Sequence, residues 1–312
     1  MLLTSALAAA LLTAPLSPPD HLLTVAVQQA DPVTFERRTM ADGDTPVEIG
    51  VWSPSTPSAA PRPLVVISHG NGGDFRGHED TARALAAAGF VVAALTHTGD
   101  SWRDQSGATD VARRPRQLSL LVETMVAGGG VDADRVGAFG FSAGGFTVLT
   151  AAGGEPDMGR VADHCRAHPD FYDCRLIASV GLPANGAPVA WTHNPRIKAV
   201  VAAAPALGFT FAPDGLKAVT GPVQLWQAED DRILPAPVYV EPVRAALPTP
   251  PEFHLVPGAG HFDFLPPCRP EVQASAPMIC VSAPDFDRAA FHDRLNAEVV
   301  RFFRRTLMDP AA

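Results

Sequence analysis

Positive charge is scarce in this sequence. Its 312 residues carry 24 Lys+Arg against 33 Asp+Glu, a formal net charge of -9 at pH 7, and no basic cluster outweighs that balance. Such a field repels nucleic acid and anionic lipid, so no nucleic-acid partner is expected, and a neutral or cationic small substrate fits better. A membrane-spanning run is also missing. The apolar stretch "LLTSALAAALL" near the start is too short to cross a bilayer, and Pro15, Pro18 and Pro19 interrupt the residues after it. There is no internal repeat, and the one biased tract, "SPSTPSAAPRP" at 53–63, reads as a loop. Cysteine is sparse at four residues, and no C-x-x-C pair occurs among them, which argues against a structural zinc site.

What is present describes a packed globular chain: 46% hydrophobic residues and 18% charged, with 31 prolines and 26 glycines dividing it into many short elements. The length allows one large domain or two small ones. Residues 1–30 do not read as part of the fold. They resemble a secretory signal with Thr24-Val25-Ala26 as a cleavage site, although no positive charge lies near Met1; the alternative is an N-terminal extension. The cysteines bear on the same question. Cys165 and Cys174 flank "RAHPDFYD", and Cys268 and Cys280 flank "RPEVQASAPMI". Four cysteines allow three pairings, and the two short loops make nearest-neighbour bridges the simplest, each worth ~2–3 kcal/mol on a chain-entropy view. Bridges imply an oxidising compartment, hence a secreted or periplasmic protein; reduced, buried cysteines are the alternative.

From residue 64 the chain acquires a rhythm. "LVVIS" (64–68), "FVVAALT" (90–96), "RVGAFGF" (135–141), "IKAVVAAAP" (197–205), "PVQLWQAE" (222–229) and "EFHLVPG" (252–258) are apolar runs of strand length. Between them lie helical segments such as "HEDTARALAAAG" (78–89) and "RQLSLLVETMVAGGG" (116–130), each closed by glycine. The last element, about 286–307, sets Phe291, Leu295, Val299 and Phe303 four apart on one helix face. Strands apolar on both sides are buried on both faces, which predicts an α/β fold with a mostly parallel central sheet and helices on both faces. One domain over 31–312 accommodates this. The rhythm fails at about 155–195, which reads as an insertion that caps the site, with a surface excursion as the alternative.

Sites in such sheets gather at the C-terminal strand ends, where the serine of "GFSAGG", "HGNGG" and the acidic cluster at 229–231 all fall. The serine lies in Gly140-x-Ser142-x-Gly144, between a strand and a helix. This is the nucleophile-elbow pattern of the α/β-hydrolase fold: a sharp turn projects the serine, and glycines on either side remove side chains that would collide. A serine hydroxyl needs a base, and the base needs a carboxylate to orient it. "LWQAEDDRILP" supplies Glu229, Asp230 and Asp231, and "VPGAGHFDFL" supplies His261, so the order is serine, acid, histidine. His254 lies inside a strand and reads as packed or solvated. His164 and His168 have i, i+4 spacing but lack the H-E-x-x-H pattern, and read as cap surface. Oxyanion donors are expected from the Ala143 N–H and from "SHGNGG" (68–73), with Asn71 the chosen second donor and His69 structural. A phosphate cradle at "HGNGG" would need the Lys-Ser/Thr of a P-loop, which is missing. His97, Asp100 and Trp102 read either as pocket lining or as a solvated turn.

Together, "VVISHGNGG", "GFSAGG", "EDDRILP" and "GAGHFDFLPPC" make the chain, from about Val47 to Leu307, resemble a dienelactone-hydrolase-like member of the α/β-hydrolase superfamily. More narrowly, it is similar to exported bacterial proteins related to platelet-activating-factor acetylhydrolases and polyester-degrading esterases. The resemblance implies that Asp231, with Pro235 four residues on, is the triad acid and Asp230 the fallback; Ala228 stands where that pattern has glycine. It also implies that the segment around Cys165–Cys174 caps the site and that "PPC…IC" braces the loop behind the histidine. Dienelactone hydrolases proper use a cysteine nucleophile, so Ser142 points away from dienelactones as substrate.

The expectation is a serine hydrolase of small-molecule carboxylic esters, with Ser142, Asp231 and His261 as its triad and neither cofactor nor metal required. The alternatives are a peptidase of the prolyl-oligopeptidase type, which usually carries an additional propeller domain, and a non-catalytic binding protein on the same scaffold.

Overall fold

The apolar runs become strands of one sheet. In the computed structural model, which describes residues 33–182 and 190–309, these are β3 (Arg62–Ser68), β4 (Val91–Leu95), β5 (Val131–Phe141), β6 (Ile197–Ala203), β7 (Val223–Ala228) and β8 (Glu252–Val256). Residues 1–30, with their signal-peptide reading, and 183–189 of the expected cap lie outside the described residues. β3 shows why such strands lack polar alternation. Leu64 and Val66 enter the core on one face while Val65 and Ile67 enter the core on the other. Period-two geometry sends successive side chains to opposite faces, so a strand covered twice must be apolar throughout.

Two layers of helix provide that cover. α1 (Glu79–Ala87) and α8 (Arg288–Phe303) close one face; α2 (Arg113–Ala127), α3 (Ala143–Ala151) and α6 (Ala236–Ala246) close the other. The stripe expected for the last helix is the buried one: Phe291, Leu295, Val299 and Phe303 all lie in the core. Strands β3 to β8 are parallel, and the order across the sheet is β1-β2-β4-β3-β5-β6-β7-β8. β1 (Val33–Asp42) and β2 (Thr45–Pro54) form an antiparallel hairpin on one edge that the apolar rhythm did not announce. β1 is an edge strand, mostly exposed, and its sequence "VTFERRTMAD" carries the polar residues such a strand can keep in water.

The insertion between α3 and β6 forms two helices, α4 (Arg160–Ala167) and α5 (Tyr172–Val180), joined by a Cys165–Cys174 disulfide. A second bridge, Cys268–Cys280, closes the loop that holds the short helix α7 (Pro270–Ser275). The pairing is therefore the nearest-neighbour one. No helix among the described residues is long and apolar enough to cross a membrane.

The opposite edge strand, β8, is stapled by charge. Glu252 accepts hydrogen bonds from Arg305 at 2.6 Å and from Gln224 at 2.8 Å, and it also pairs with Arg301. Partial burial opposes its ionisation, but hydrogen bonds from Arg305, Gln224 and His254 and the charge of Arg301 outweigh it and hold the carboxyl at about 2. A carboxylate whose folded pKa is depressed stabilises the fold above its unfolded pKa, and that contribution is lost as pH falls toward the folded value. Glu252→Gln is expected to lower stability by about 1 kcal/mol at pH 7, a figure discounted for solvent screening. The deficit should shrink as pH falls from about 5 toward about 2; urea unfolding of both proteins across that range checks it. A deficit independent of pH would mean that packing, not charge, secures the edge.

Candidate active site

Register fixes the site before any side chain does. Ser68 at the end of β3 stands beside Gly140 in β5, and Phe141 beside Ala203 in β6, so the loops after these strands converge. At the turn from β5 into α3, Ser142 adopts φ 55°, ψ -119°, a region that costs a non-glycine residue on the order of 1–3 kcal/mol. Neighbouring backbone holds it there. The Ser142 N–H donates to Ala203 O at 2.9 Å, and its carbonyl accepts from Ala206 at 2.9 Å and Phe146 at 3.2 Å. The flanking glycines are spatial requirements. A Cβ at Gly140 would lie 2.1 Å from Gly144 O, one at Gly144 only 1.9 Å from Ser68 O, and one at Gly145 2.9 Å from Pro205 Cα.

His261 reaches this serine from the turn after β8: its Nε2 lies 3.1 Å from Ser142 Oγ. Its Nδ1 lies 2.7 Å from Asp231 Oδ2, in the turn after β7. The other oxygen, Asp231 Oδ1, accepts the N–H groups of Ile233 at 3.0 Å and Leu234 at 2.7 Å, which fixes the carboxylate plane. Of the acidic cluster, Asp231 is buried against the histidine, whereas Glu229 and Asp230 are exposed. The imidazole packs on Phe141, with ring centroids 4.8 Å apart, and is itself buried. An imidazole so placed can take the serine proton at Nε2 while Nδ1–H stays bonded to the carboxylate.

Behind the histidine, the expected brace has a centre that sequence reading missed. Asp263 accepts from Gly260 N–H at 2.8 Å, Ser282 Oγ at 2.5 Å and Arg288 Nε at 3.0 Å. Arg288, on α8, also donates to the carbonyls of Ile279 and Val281 beside the Cys268–Cys280 bridge. It thus ties the disulfide loop to the turn holding His261.

The loop after β3 passes directly over the serine; a Cβ on Gly70 would touch Ser142 Cβ at 3.3 Å. Neither the Asn71 N–H nor the Ala143 N–H meets a protein acceptor among the described residues. Beneath this loop lies a buried polar network. Arg114 on α2 pairs with Asp100, donates to the His69 carbonyl and reaches Thr147 on α3 at 3.0 Å. Asp100 Oδ1 accepts from Asn71 Nδ2 at 2.6 Å and from the Gly72 N–H at 2.9 Å. Burial, with the Arg114 charge beside it, holds His69 at about 4, so it is neutral at pH 7. Its Nε2 accepts the His97 N–H at 3.0 Å. His97 and Asp100 are thus neither pocket lining nor a solvated turn: both are buried supports of the loop, while Trp102 is exposed. Arg114 gave no sequence signal, because a buried arginine has no periodic signature.

The insertion between α3 and β6 corrects a second expectation. His164 is not on its surface; it is buried and stacked on Phe209 with centroids 3.7 Å apart. His168 is half-buried against Phe171. Asp173 accepts a hydrogen bond from Tyr239 of α6 at 2.9 Å and lies 3.4 Å from His164. His164, Asp173 and Cys174 come within ligand distance of one another, but the Cys174 sulfur is committed to its disulfide, which leaves two ligands. His254 is packed, stacked on Trp226 at 4.0 Å.

Comparison with known proteins bears on the fold. The prolyl oligopeptidase family matches over residues 77–164, the segment from α1 through the turn at Ser142 into α4. NocK of Nocardia uniformis subsp. tsuyamanensis, a protein named as an esterase, is 32% identical over 162 residues, covering 46% of this chain and 46% of its own. The chain thus matches less than half the length of that relative. Among solved structures, a ferulic acid esterase from Streptomyces cinnamoneus superposes with a TM-score of 0.62 at 18% identity, over 92% of this chain and 94% of its own. A dienelactone hydrolase from Anabaena variabilis gives 0.56 at 15% identity, over 88% and 99%. At these identities the two structures speak to the fold.

Proposed function

We propose that this chain, an α/β-hydrolase by fold, is a serine hydrolase that cleaves carboxylic esters of small molecules through an acyl-enzyme. The observation that carries the reading is the continuous chain from Ser142 Oγ to His261 Nε2 at 3.1 Å and from His261 Nδ1 to Asp231 Oδ2 at 2.7 Å, built at a strained elbow. Ser142 Oγ attacks the ester carbonyl as its proton passes to His261 Nε2. The Asn71 and Ala143 N–H groups receive the charge that develops on the carbonyl oxygen. Collapse expels the alcohol, which takes the proton from Nε2. A water then attacks the acyl-enzyme, with His261 again the base, and frees the acid and Ser142. Asp231 keeps the imidazole in the required tautomer and stabilises its cation. The two disulfides favour an oxidising compartment, so we place the protein outside the cytoplasm.

The test is labelling with a fluorophosphonate probe, followed by turnover of p-nitrophenyl esters from acetate to palmitate. A single adduct on Ser142 and hydrolysis within the series are expected. A protein that neither reacts nor turns over any ester is a binding scaffold. The prolyl-oligopeptidase match over residues 77–164 favours one second reading, a peptidase using the same groups. Cleavage of a prolyl p-nitroanilide faster than of any ester would establish it.

The choice of acid has its own test. Asp231→Asn presents the wrong group to Nδ1 and is expected to reduce kcat by about 10⁴-fold. Asp230→Asn, at an exposed side chain, should change kcat less than about twofold. Steady-state kinetics of the two variants decides, and the reverse ranking would assign the acid to Asp230.

A further inference from the structure

We propose that the cap positions the oxyanion loop through Tyr172, which acts as a positioning residue for the ester hydrolysis proposed above and rests on that reading. Three consecutive residues at the start of α5 fasten the cap in three directions. The Tyr172 hydroxyl donates to Asn71 Oδ1, in the loop over Ser142, across 101 residues of sequence. Asp173 accepts from Tyr239 on α6, and Cys174 is bonded to Cys165 on α4. The Asn71 side chain is therefore held at both ends. Its Nδ2 is tied to the body through Asp100, which the buried Arg114 anchors, and its Oδ1 is tied to the cap. An amide gripped from two sides leaves its own backbone little freedom, and the Asn71 N–H is the group meant to meet the oxyanion. Preorganisation of such donors is what makes them effective, since a donor that must reorient during reaction loses much of its effect.

This differs from a cap that merely covers substrate. A cover acts on binding and moves KM; a cap that aims a donor acts on the transition state and moves kcat. Removing an oxyanion donor outright lowers kcat by about 10²–10³-fold, so loosening one is expected to cost about 10-fold. Another polar tie between cap and body, Thr109 Oγ1 to Gly181 O at 2.7 Å, lies at the far end of α5 and provides a control, because it holds the cap without touching the loop.

The experiment compares wild type, Tyr172→Phe, Thr109→Ala, Asn71→Ala and the Tyr172→Phe/Asn71→Ala double variant on one p-nitrophenyl ester. Circular dichroism verifies each fold. The expected result is a kcat for Tyr172→Phe lowered about 10-fold with KM changed less than about twofold, and Thr109→Ala unchanged. The double variant should match Asn71→Ala, because removing the hydroxyl costs nothing once its acceptor is gone. The positioning role is overturned by wild-type kcat in Tyr172→Phe, by an equal loss in Thr109→Ala, or by effects that add in the double variant. If Tyr172→Phe does not fold, the Asn71→Ala kcat decides, and a wild-type value overturns the role. A wild type that neither hydrolyses the ester nor reacts with the fluorophosphonate overturns the esterase reading, and the role of Tyr172 falls with it.

Discussion

The Ser142→Ala variant is expected to lose ester turnover by about 10⁵–10⁶-fold relative to wild type, while its fold by circular dichroism is unchanged. The size of the loss follows from the proposed triad working as a unit. On that proposal, His261 without the Oγ has no proton to take and no covalent intermediate forms; only the proposed oxyanion donors remain, acting on attack by water. Stability should not follow activity. Ser142 occupies φ 55°, ψ -119°, and alanine pays the same steric cost there as serine does. Ser142→Gly, which carries no Cβ, should be as inactive as Ser142→Ala yet more stable than wild type by about 1–2 kcal/mol. The opposed signs are diagnostic: a residue held in strain for chemistry gives up stability to occupy its position. Steady-state kinetics and urea unfolding of the two variants measure both. A Ser142→Ala protein retaining more than a tenth of wild-type turnover would reduce the serine to a turn residue.

Much of this site is legible in sequence because its parts announce themselves locally. Ser142 lies between glycines at a strand end, and His261 follows a strand in a glycine-rich turn. The central strands were legible for a related reason: burial on both faces removes alternation, and Leu64 to Ile67 show the consequence residue by residue. What escaped is long-range. Asp100 and Arg114 are ordinary charged residues in sequence, and only folding brings them together in the interior beneath the loop after β3. Arg288 and Asp263 behave alike. The i, i+4 spacing of His164 and His168 gives the helix face they share but not which face is buried, and His164 is buried. The β1–β2 hairpin escaped because an edge strand keeps polar residues. Asp231 lies between these cases. The acidic cluster is local, but the choice among its members rests on resemblance, and the structure adds that Asp231 accepts hydrogen bonds from Ile233 and Leu234.

Gly144→Ala is expected to be the most destabilising single-methyl addition at this site, costing more than about 4 kcal/mol or yielding no soluble protein. Its hypothetical Cβ would lie 1.9 Å from Ser68 O and 2.9 Å from His69 O, both backbone atoms of the strand end and loop that cover Ser142. A flexible side chain could swing away, but these carbonyls cannot. Ser68 sits in the register of β3 with β5, and the His69 carbonyl is held by Arg114. Relieving the collision therefore means separating α3 from the β3 loop, and that separation also draws the Ala143 and Asn71 N–H groups apart. Activity should fall even in whatever fraction folds. Gly43→Ala, in the β1–β2 turn, calibrates the claim. Gly43 has φ +59° with nothing within 4 Å of its hypothetical Cβ, so alanine there meets only backbone strain of about 1 kcal/mol and leaves kcat alone. Urea midpoints and p-nitrophenyl ester kinetics on both variants test the pair. If Gly144→Ala were no less stable than Gly43→Ala and as active as wild type, helix and loop could not approach as closely as described. Gly144 would then be a matter of chance and not of space.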